Sequence, residues 1–274
     1  MIDARAVRRR SERAAHSYAQ ASRLEAEIGS RMLERLEYVK LAPRRVLDAG
    51  SGPARDARVL AKRYRKAEVL ALDFSQAMLH AGRPRLRFFE RRAPQRICAD
   101  LARQPFASAS IGLVWSNMAL HWSADPLGSL REFHRVLALE GLLMFSTLGP
   151  DTLAELRSAA GDARVHSFTD MHDLGDMLVA AGFAEPVMDM ERVTIVYPEG
   201  AALLADLRAS GQTCALSGRA RGLAGRRFRA ALLEKLAAQR REGKLHVSYE
   251  VVYGHAWKAA PKRAADGRSV IKIF

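Results

Sequence analysis

The segment "RRVLDAGSGPARDARVLAKRY", Arg44 to Tyr64, decides the fold because its residue pattern changes twice within a short distance. An apolar run, VLDA, is followed by the glycine pair Gly50 and Gly52 and then by the spacing of a basic amphipathic helix. A strand, a glycine turn and a helix in this order let the backbone approach a ligand closely and offer helix N-terminal N–H groups to it. The segment therefore predicts a nucleotide-type site in an open α/β sheet.

The same alternation continues along the chain. The runs AEVLALD, RICADL, IGLVWSN and GLLMFSTL have the composition of buried strands, and helical spacing separates them. Two longer strand-like stretches, VMDMERVTIVY and KLHVSYEVVYGHAWK, follow towards the C-terminus. Strands that alternate with helices form a doubly wound sheet covered on both faces. The sequence thus predicts an α/β, Rossmann-like fold with a seven-stranded, mostly parallel sheet.

A single domain over residues 1–258 is predicted around this sheet. Apolar positions such as Leu24, Ile28 and Met32 recur at helical spacing before the first strand, and Asp3 is available as a helix cap. The predicted parts are N-terminal cap helices over 1–43, a cofactor-binding core over 44–198, a helical lid insertion over 199–243, a final strand over 244–258 and a basic tail over 259–274. The tail is expected to be poorly ordered.

Composition narrows the classes of function. The 44 Lys and Arg residues against 30 Asp and Glu residues give a net charge of +14, which favours polyanions or acidic proteins as partners. The two cysteines, Cys98 and Cys214, have no metal-ligand spacing, so neither a disulfide framework nor a metal site is expected. No apolar run reaches the length of a membrane span, and a cytoplasmic location without membrane association is expected.

Three acidic residues indicate which ligand the glycine turn holds. Asp48, Asp73 and Asp100 each stand at the end of a predicted strand, and Arg55 occupies the position where a dinucleotide fingerprint has its third glycine. A carboxylate at Asp48 would repel a pyrophosphate but would attract an ammonium and a sulfonium. The pattern therefore favours S-adenosylmethionine, with Asp73 on the ribose hydroxyls and Asp100 near the adenine amino group.

The motifs VLDAGSGPARD, LALDFSQAML, ADL, LVWSNMALHW and HRVLALEGLLMFST resemble those of the class I S-adenosylmethionine-dependent methyltransferases, in the same order. Ala54 departs from that family, in which a glycine is common at this position. The resemblance implies a sheet whose last strand is antiparallel and S-adenosylhomocysteine as the product. The residues expected to bind the cofactor are Tyr18, Asp48, Gly50, Ser51, Gly52, Asp73, Phe74, Met78, Asp100, Leu101 and Asn117.

A finer resemblance is to the malonyl-acyl-carrier-protein O-methyltransferase family of biotin synthesis. It is carried by ERAAHSYAQASRLEAEIGSRML, WSNMALHW, FSTLGPDTLAELR, LLADLRASG and VSYEVVYGHAWK. It implies that a malonyl thioester, on acyl carrier protein or on coenzyme A, is methylated on its free carboxylate. Because that carboxylate is ionised at neutral pH, no general base is required. The candidates for orienting it are Tyr18, Asn117, His121 and Arg208.

The N-terminal helix, bearing His16 and Tyr18, and the insertion are the expected lid. Acyl carrier proteins are acidic, so the insertion's arginines are predicted to dock the carrier. These are Arg219, Arg221, Arg226, Arg227 and Arg229. A solvated basic face is the plainer interpretation of the same cluster.

Two other functions stay open on the sequence. The charge of +14 suggests RNA methylation, although no RNA-binding module is present and SNMA stands where base methyltransferases carry an NPPY-like tetrad. A protein of the same sequence type can also bind S-adenosylmethionine and serve as an assembly factor or hydroxylase. Another small acid could replace malonate as the acceptor.

Overall fold

The computed structural model describes residues 1–82, 93–219, 222 and 225–260. Within these ranges the chain forms one seven-stranded sheet in the order β3-β2-β1-β4-β5-β7-β6. The strands are β1 (Arg45–Ala49), β2 (Glu68–Asp73), β3 (Gln95–Cys98), β4 (Ile111–Ser116), β5 (Leu137–Leu148), β6 (Ala184–Tyr197) and β7 (Leu245–Trp257). β7 is antiparallel to β5 and to β6, and the pairs among β1 to β5 are parallel. The predicted Rossmann-like α/β fold with an antiparallel last strand is confirmed.

Helices cover both faces of this sheet. They are α1 (Ala4–Ala14), α2 (Tyr18–Ala21), α3 (Arg23–Glu37), α4 (Arg55–Arg63), α5 (Gln76–Ala81), α6 (Pro126–Val136), α7 (Ala154–Ala160), α8 (Met171–Ala180), α9 (Gly200–Ala209) and α10 (Arg226–Ala238). Short 3₁₀ turns lie at Leu120–Trp122 and Asp162–Arg164. No helix among the described residues is long and apolar enough to cross a membrane.

The central strands are apolar because both of their faces are buried. The residues Val46, Leu47 and Ala49 of β1 are fully buried, with Val46 in one hydrophobic cluster and the other two in the cluster on the opposite face. Because β1 runs parallel to β2 and to β4, the carboxyl ends of these strands lie at one edge of the sheet, where ligands of doubly wound folds bind. The site therefore lies where the strand order reverses, between β1 and β4.

Helix α3 packs against this edge through its apolar stripe and through one glycine. Leu24, Ile28 and Met32 are buried in the same cluster as Val46. A Cβ atom on Gly29 would lie 2.8 Å from both the Asn117 Nδ2 and the Asp56 Oδ2 atoms. Gly29 thus allows α3 to approach two polar side chains more closely than any larger residue would.

We expect Gly29→Ala to lower the free energy of unfolding by about 1–3 kcal/mol, because the added methyl group overpacks this contact. Helix propensity alone predicts the opposite sign, since alanine is favoured over glycine by about 1 kcal/mol within a helix. Gly175→Ala is the matched control, because Gly175 also lies inside a helix, α8, and an added Cβ atom would lie 4.0 Å from the Cγ atom of Met188. Urea denaturation measures both, and equal stability of the two variants would contradict the close-packing argument.

The insertion contributes α9 and α10, and the described residues 210–219 between them are not helical. α9 and α10 flank the stretch that contains residues 210–219, in which Leu216 forms a β-bridge with Ile2. The Asp3 N–H donates to the Ala215 carbonyl over 2.8 Å, and the Asp3 side chain caps α1 as predicted. The predicted basic tail lies outside the described residues from position 261 onward.

Candidate active site

Two adjoining cavities lie at the carboxyl ends of the central strands, with volumes of about 360 Å³ and about 320 Å³. Tyr18, Glu25, Gly50 and Asn117 line both of them. All eleven residues predicted to bind the cofactor line one or the other: Asp48 and Ser51 line the smaller cavity, and the remaining nine line the larger. Residues far apart in sequence therefore surround two neighbouring cavities at one edge of the sheet.

The glycine turn is built for close approach of the backbone. Gly50 has a φ of +81°, and a Cβ atom there would lie 2.2 Å from the Cβ of Ala119. Gly52 has a φ of +52°, and the ring of Tyr18 lies 3.6 Å from the position that its Cβ would occupy. Ala54 also has a positive φ, +58°, with its methyl group fully buried. The alanine thus adopts a left-handed conformation that glycine adopts more easily.

Asp73 braces the turn from the end of β2. Its Oδ2 atom accepts a hydrogen bond of 2.9 Å from the Gly52 N–H, and its Oδ1 atom accepts one of 2.8 Å from the Ser75 N–H. Burial raises the pKa of Asp73 to about 6, although both hydrogen bonds lower it. Each oxygen keeps a lone pair, so the carboxylate can still accept from ribose hydroxyls.

Asp48 lies beneath the turn rather than at its surface. Its Oδ2 atom accepts a hydrogen bond of 2.9 Å from the Ala57 N–H, at the start of α4. Burial and the neighbouring Asp56 carboxylate both raise the pKa of Asp48. Asp48 therefore stabilises the helix N-terminus and contributes negative charge to the smaller cavity at the same time.

Asp100 and the two apolar residues that follow the strand ends complete the far side. Asp100 lines the larger cavity, and its Oδ1 atom accepts from the Ala102 N–H over 2.9 Å. Phe74 packs with Val7 and Trp122, while Leu101 packs against the cluster on the opposite face of the sheet. Both apolar side chains reach the cavity wall, where an adenine ring could lie between them.

Glu25 is the functional candidate that sequence reasoning missed. It lines both cavities from α3, and its Oε1 atom accepts a hydrogen bond from the Gln212 side chain. Burial is the largest cause that raises the pKa of Glu25, to about 7. The available signal was its spacing: Glu25 stands four residues before Gly29, so the acid and the close-packed glycine share one helix face.

Asn117 is a support for the site rather than a free donor. Its Nδ2 atom donates to the Glu25 carbonyl over 2.8 Å and to the Asp56 Oδ2 atom over 2.9 Å, which engages both amide hydrogens. Its Oδ1 atom accepts from the Ser146 hydroxyl. The amide joins α3, α4 and β5 and thereby positions Glu25.

His121 and Arg208 lie away from the cofactor cavity. His121 stacks near Trp122 and Phe168, and burial lowers its pKa to about 3, so the ring is neutral. It is not among the described residues that line either of the two cavities. Arg208 instead lines a neighbouring apolar cavity beneath α9 and α10.

The insertion's arginines separate into three groups. Arg219 forms an ion pair of 3.0 Å with Asp3 and donates to the Leu216 carbonyl, so it fastens the insertion to α1. Arg226, Arg227 and Arg229 are exposed on α10. Arg221 lies outside the described residues.

The cavity is covered by α1 and by the segment that follows α9. Ala4, Val7 and Ser11 line it from one side, and residues 210–212 line it from the other. The Arg10 guanidinium donates to the Thr213 carbonyl over 2.8 Å, and the Ser17 hydroxyl donates to the Ala209 carbonyl over 2.8 Å. His16, by contrast, is exposed. These two hydrogen bonds hold the covering elements together over the cavity.

A methyltransferase domain model matches residues 47–145, which include the glycine turn and the strand ends described above. The fold and the site therefore define an S-adenosylmethionine-dependent methyltransferase. The chain is 49% identical to the malonyl-[acyl-carrier protein] O-methyltransferase of Gallionella capsiferriformans, over 99% of this chain and 97% of that protein. It is 48% identical to the same enzyme of Laribacter hongkongensis, over 97% and 94% of the two chains. The chain belongs to the malonyl-[acyl-carrier protein] O-methyltransferase family.

Solved structures share the fold at low identity. The YcgJ protein of Bacillus subtilis superposes with a TM-score of 0.61 at 14% identity, over 86% of this chain and 99% of that one. A Haemonchus contortus phosphoethanolamine N-methyltransferase, solved with S-adenosylhomocysteine, gives 0.54 at 16%, over 85% and 52%. The [4+2]-cyclase SpnF gives 0.55 at 18%, over 85% and 82%. One fold thus supports unrelated reactions, so the residues of the site must identify the chemistry.

The buried carboxylates predict how cofactor binding depends on pH. Glu25 and Asp73, with pKa values of about 7 and about 6, gain protons as the pH falls from 7.5 to 5.5. Protonation removes negative charge that attracts the sulfonium and ammonium groups, so we expect the dissociation constant of S-adenosylmethionine to rise about tenfold. Isothermal titration calorimetry measures it.

S-adenosylhomocysteine lacks the sulfonium charge and is the matched ligand control, for which we expect a smaller change over the same pH range. Glu25→Gln removes one of the titrating groups and should flatten the pH dependence of S-adenosylmethionine binding. Equal pH dependence for the two ligands and for both proteins would contradict the electrostatic explanation.

Proposed function

We propose that this protein transfers a methyl group from S-adenosylmethionine to the free carboxylate of a malonyl thioester carried by acyl carrier protein, an early step of biotin synthesis. The observation that carries the proposal is the 49% identity to a malonyl-[acyl-carrier protein] O-methyltransferase over 99% of the chain. The covered cavity with its buried carboxylates supports it. S-adenosylmethionine, when bound, supplies an electrophilic methyl group.

The reaction requires alignment of the acceptor carboxylate with the methyl group, and it does not require acid–base catalysis. A carboxylate oxygen forms the new bond to the methyl carbon while the carbon–sulfur bond breaks, and its electron pair stays on sulfur. No proton moves, because a malonyl carboxylate is ionised at neutral pH. His121, which lies away from the cofactor cavity and is held neutral with a pKa of about 3, therefore needs no catalytic role.

The residues of this chain contribute in two ways. Asp48, Asp56, Asp73 and Glu25 set a negative potential that suits a cationic ligand, and each of their pKa values is raised by burial. The hydrogen-bonded cover of α1 and residues 210–219 holds the reacting groups in a dry space. Alignment of the two groups and exclusion of water together can account for several kcal/mol of the barrier.

The same negative potential opposes a second anion, so the acceptor carboxylate needs a donor. We propose Tyr18 for this task, because it lines both cavities. Burial raises the pKa of Tyr18 well above its usual value, so its hydroxyl keeps the proton that it would donate. Arg208 lines the adjoining apolar cavity, and we assign it to the thioester arm rather than to the carboxylate.

We expect Tyr18→Phe to reduce kcat/KM for the malonyl thioester about tenfold to a hundredfold, the range of one hydrogen bond to a charged group. The dissociation constant of S-adenosylmethionine should change little, because the ring that lies over Gly52 is retained. Tyr18→Ala removes the ring as well and should weaken cofactor binding. If Tyr18→Phe matched the unaltered enzyme in kcat/KM, the hydroxyl would have no part in orienting the acceptor.

The test of the function is methyl transfer from labelled S-adenosylmethionine to malonyl-acyl-carrier protein. Acetyl-acyl-carrier protein is the control, since it has the same arm and thioester without the free carboxylate. Base-labile label on the malonyl form alone is the expected result. Cofactor binding without label on either form would overturn the proposal and favour an assembly factor, and label on copurifying RNA would favour RNA methylation.

A further inference from the structure

An apolar cavity of about 200 Å³ adjoins the cofactor cavity beneath α9 and α10. Six leucines line it: Leu148, Leu153, Leu156, Leu204, Leu207 and Leu232. Trp122 and Gln212 line this cavity and the cofactor cavity alike, so the two spaces meet at these side chains. Neither the glycine turn nor the acidic residues reach it, and the cofactor alone does not explain it.

A basic groove of about 1200 Å³ adjoins the same apolar cavity on its outer side. Arg164 and Cys214 line both spaces. Six arginines line the groove against two acidic residues, Asp3 and Glu12; the arginines are Arg5, Arg8, Arg9, Arg10, Arg164 and Arg219. The groove is formed by α1 together with the Asp162–Arg164 turn and residues 214–219.

Shared lining residues connect the three spaces in sequence: the cofactor cavity borders the apolar cavity, and the apolar cavity borders the basic groove. The cofactor cavity is acidic, the middle cavity is apolar, and the outer groove is strongly basic. A malonyl group on a carrier protein presents its parts in a matching order: the reacting carboxyl end, a flexible pantetheine chain, a phosphate and finally an acidic protein. Opposite charges at the outer end would steer the partner towards the mouth.

Resting on the function proposed above, we propose that the acyl arm of the carrier protein passes through the apolar cavity and that the acidic carrier protein docks over the α1 groove. Arg164 stands at the junction, where its guanidinium carbon lies 4.0 Å from the centre of the Phe228 ring. This contact holds the charge at the point where the phosphate of the arm would leave the cavity.

The basic groove beside α1 is a different docking surface from the one that the sequence predicted, which was the arginine cluster of the insertion. Arg226, Arg227 and Arg229 are exposed on α10, but they are not among the described residues that line any of the three spaces. Arg219 does line the groove, although it also pairs with Asp3. The arginines nearest the mouth therefore come mainly from the N-terminal helix.

Steady-state methylation by three double variants with the same change of charge tests the proposal. Arg5→Glu with Arg9→Glu reverses two exposed groove positions, and Arg226→Glu with Arg227→Glu reverses the α10 face. Arg44→Glu with Arg131→Glu is the control, because both residues are exposed and line none of the three described spaces. Each variant is assayed with malonyl-acyl-carrier protein and with malonyl-N-acetylcysteamine, a thioester that lacks both the phosphate and the protein.

For the groove variant we expect the KM for malonyl-acyl-carrier protein to rise about tenfold or more, with kcat/KM for the short thioester unchanged. A groove variant indistinguishable from the control, or a large effect confined to the α10 variant, would overturn the docking assignment. If the unaltered protein bound S-adenosylmethionine but methylated neither thioester, the proposed function itself would fail, and that result differs from either of the others.

Leu204→Trp tests the path of the arm separately, because Leu204 is half-buried in the wall of the apolar cavity. Filling the cavity should lower kcat/KM for malonyl-acyl-carrier protein about tenfold while the dissociation constant of S-adenosylmethionine stays the same. Unchanged turnover of the carrier-bound substrate by this variant would show that the arm takes another route.

Discussion

The candidate site depends on several buried or partly buried carboxylates that lie around the glycine turn. Asp48, Asp56, Asp73 and Glu25 surround the glycine turn, and burial raises the pKa of each. Burial of these charges is unfavourable, and backbone N–H groups of the turn and of α4 offset part of it by donating to Asp73 and to Asp48. The charge that stays uncompensated favours binding of a cation. The cover, formed by α1 and residues 210–219, would strengthen this binding, because the attraction between carboxylates and a cationic ligand is stronger where water is excluded.

The local half of this arrangement was predictable from the sequence, and the other half was not. Asp48, Gly50, Gly52 and Asp73 lie within one strand–turn–helix–strand unit, where chain geometry alone brings them together. Glu25 reaches the same cavity only because Gly29 lets α3 pack closely against Asn117 and Asp56. The contact of Gly29 with Asn117 joins residues 88 positions apart, and the helical spacing of α3 does not show which distant side chains Gly29 will meet.

For the polar residues expected to orient the acceptor, the sequence predicted their position in the fold better than it predicted their role. Asn117 stands at a strand end as expected, yet its amide hydrogens serve the Glu25 carbonyl and Asp56. His121 stacks among aromatic rings, and Arg208 lines a different cavity. The arginine cluster of the insertion is similar: Arg219 acts as a fastening to α1, while arginines of α1 itself surround the outer groove. The count of charged residues showed an excess of arginine, but it did not show which surface of the protein carries the arginines around the groove.

These placements separate the choice of reaction from the choice of substrate. A carboxylate acceptor needs no base, so the proposed chemistry depends on the glycine turn, the carboxylates around it, the Tyr18 hydroxyl and the cover. Many small carboxylic acids could react under those conditions. Selection must then come from outside the cofactor cavity. On the path that we propose, the apolar space at Trp122 and Gln212 and the arginines beyond it would admit an arm with an anionic end more readily than a free dicarboxylate. A free malonate on this path would have to leave the basic groove and cross the apolar cavity with no charge of its own left in the groove. A carrier-bound malonate keeps the phosphate of its arm and the acidic carrier protein at the groove while its carboxylate crosses. This difference can distinguish carrier-bound malonate from malonate itself.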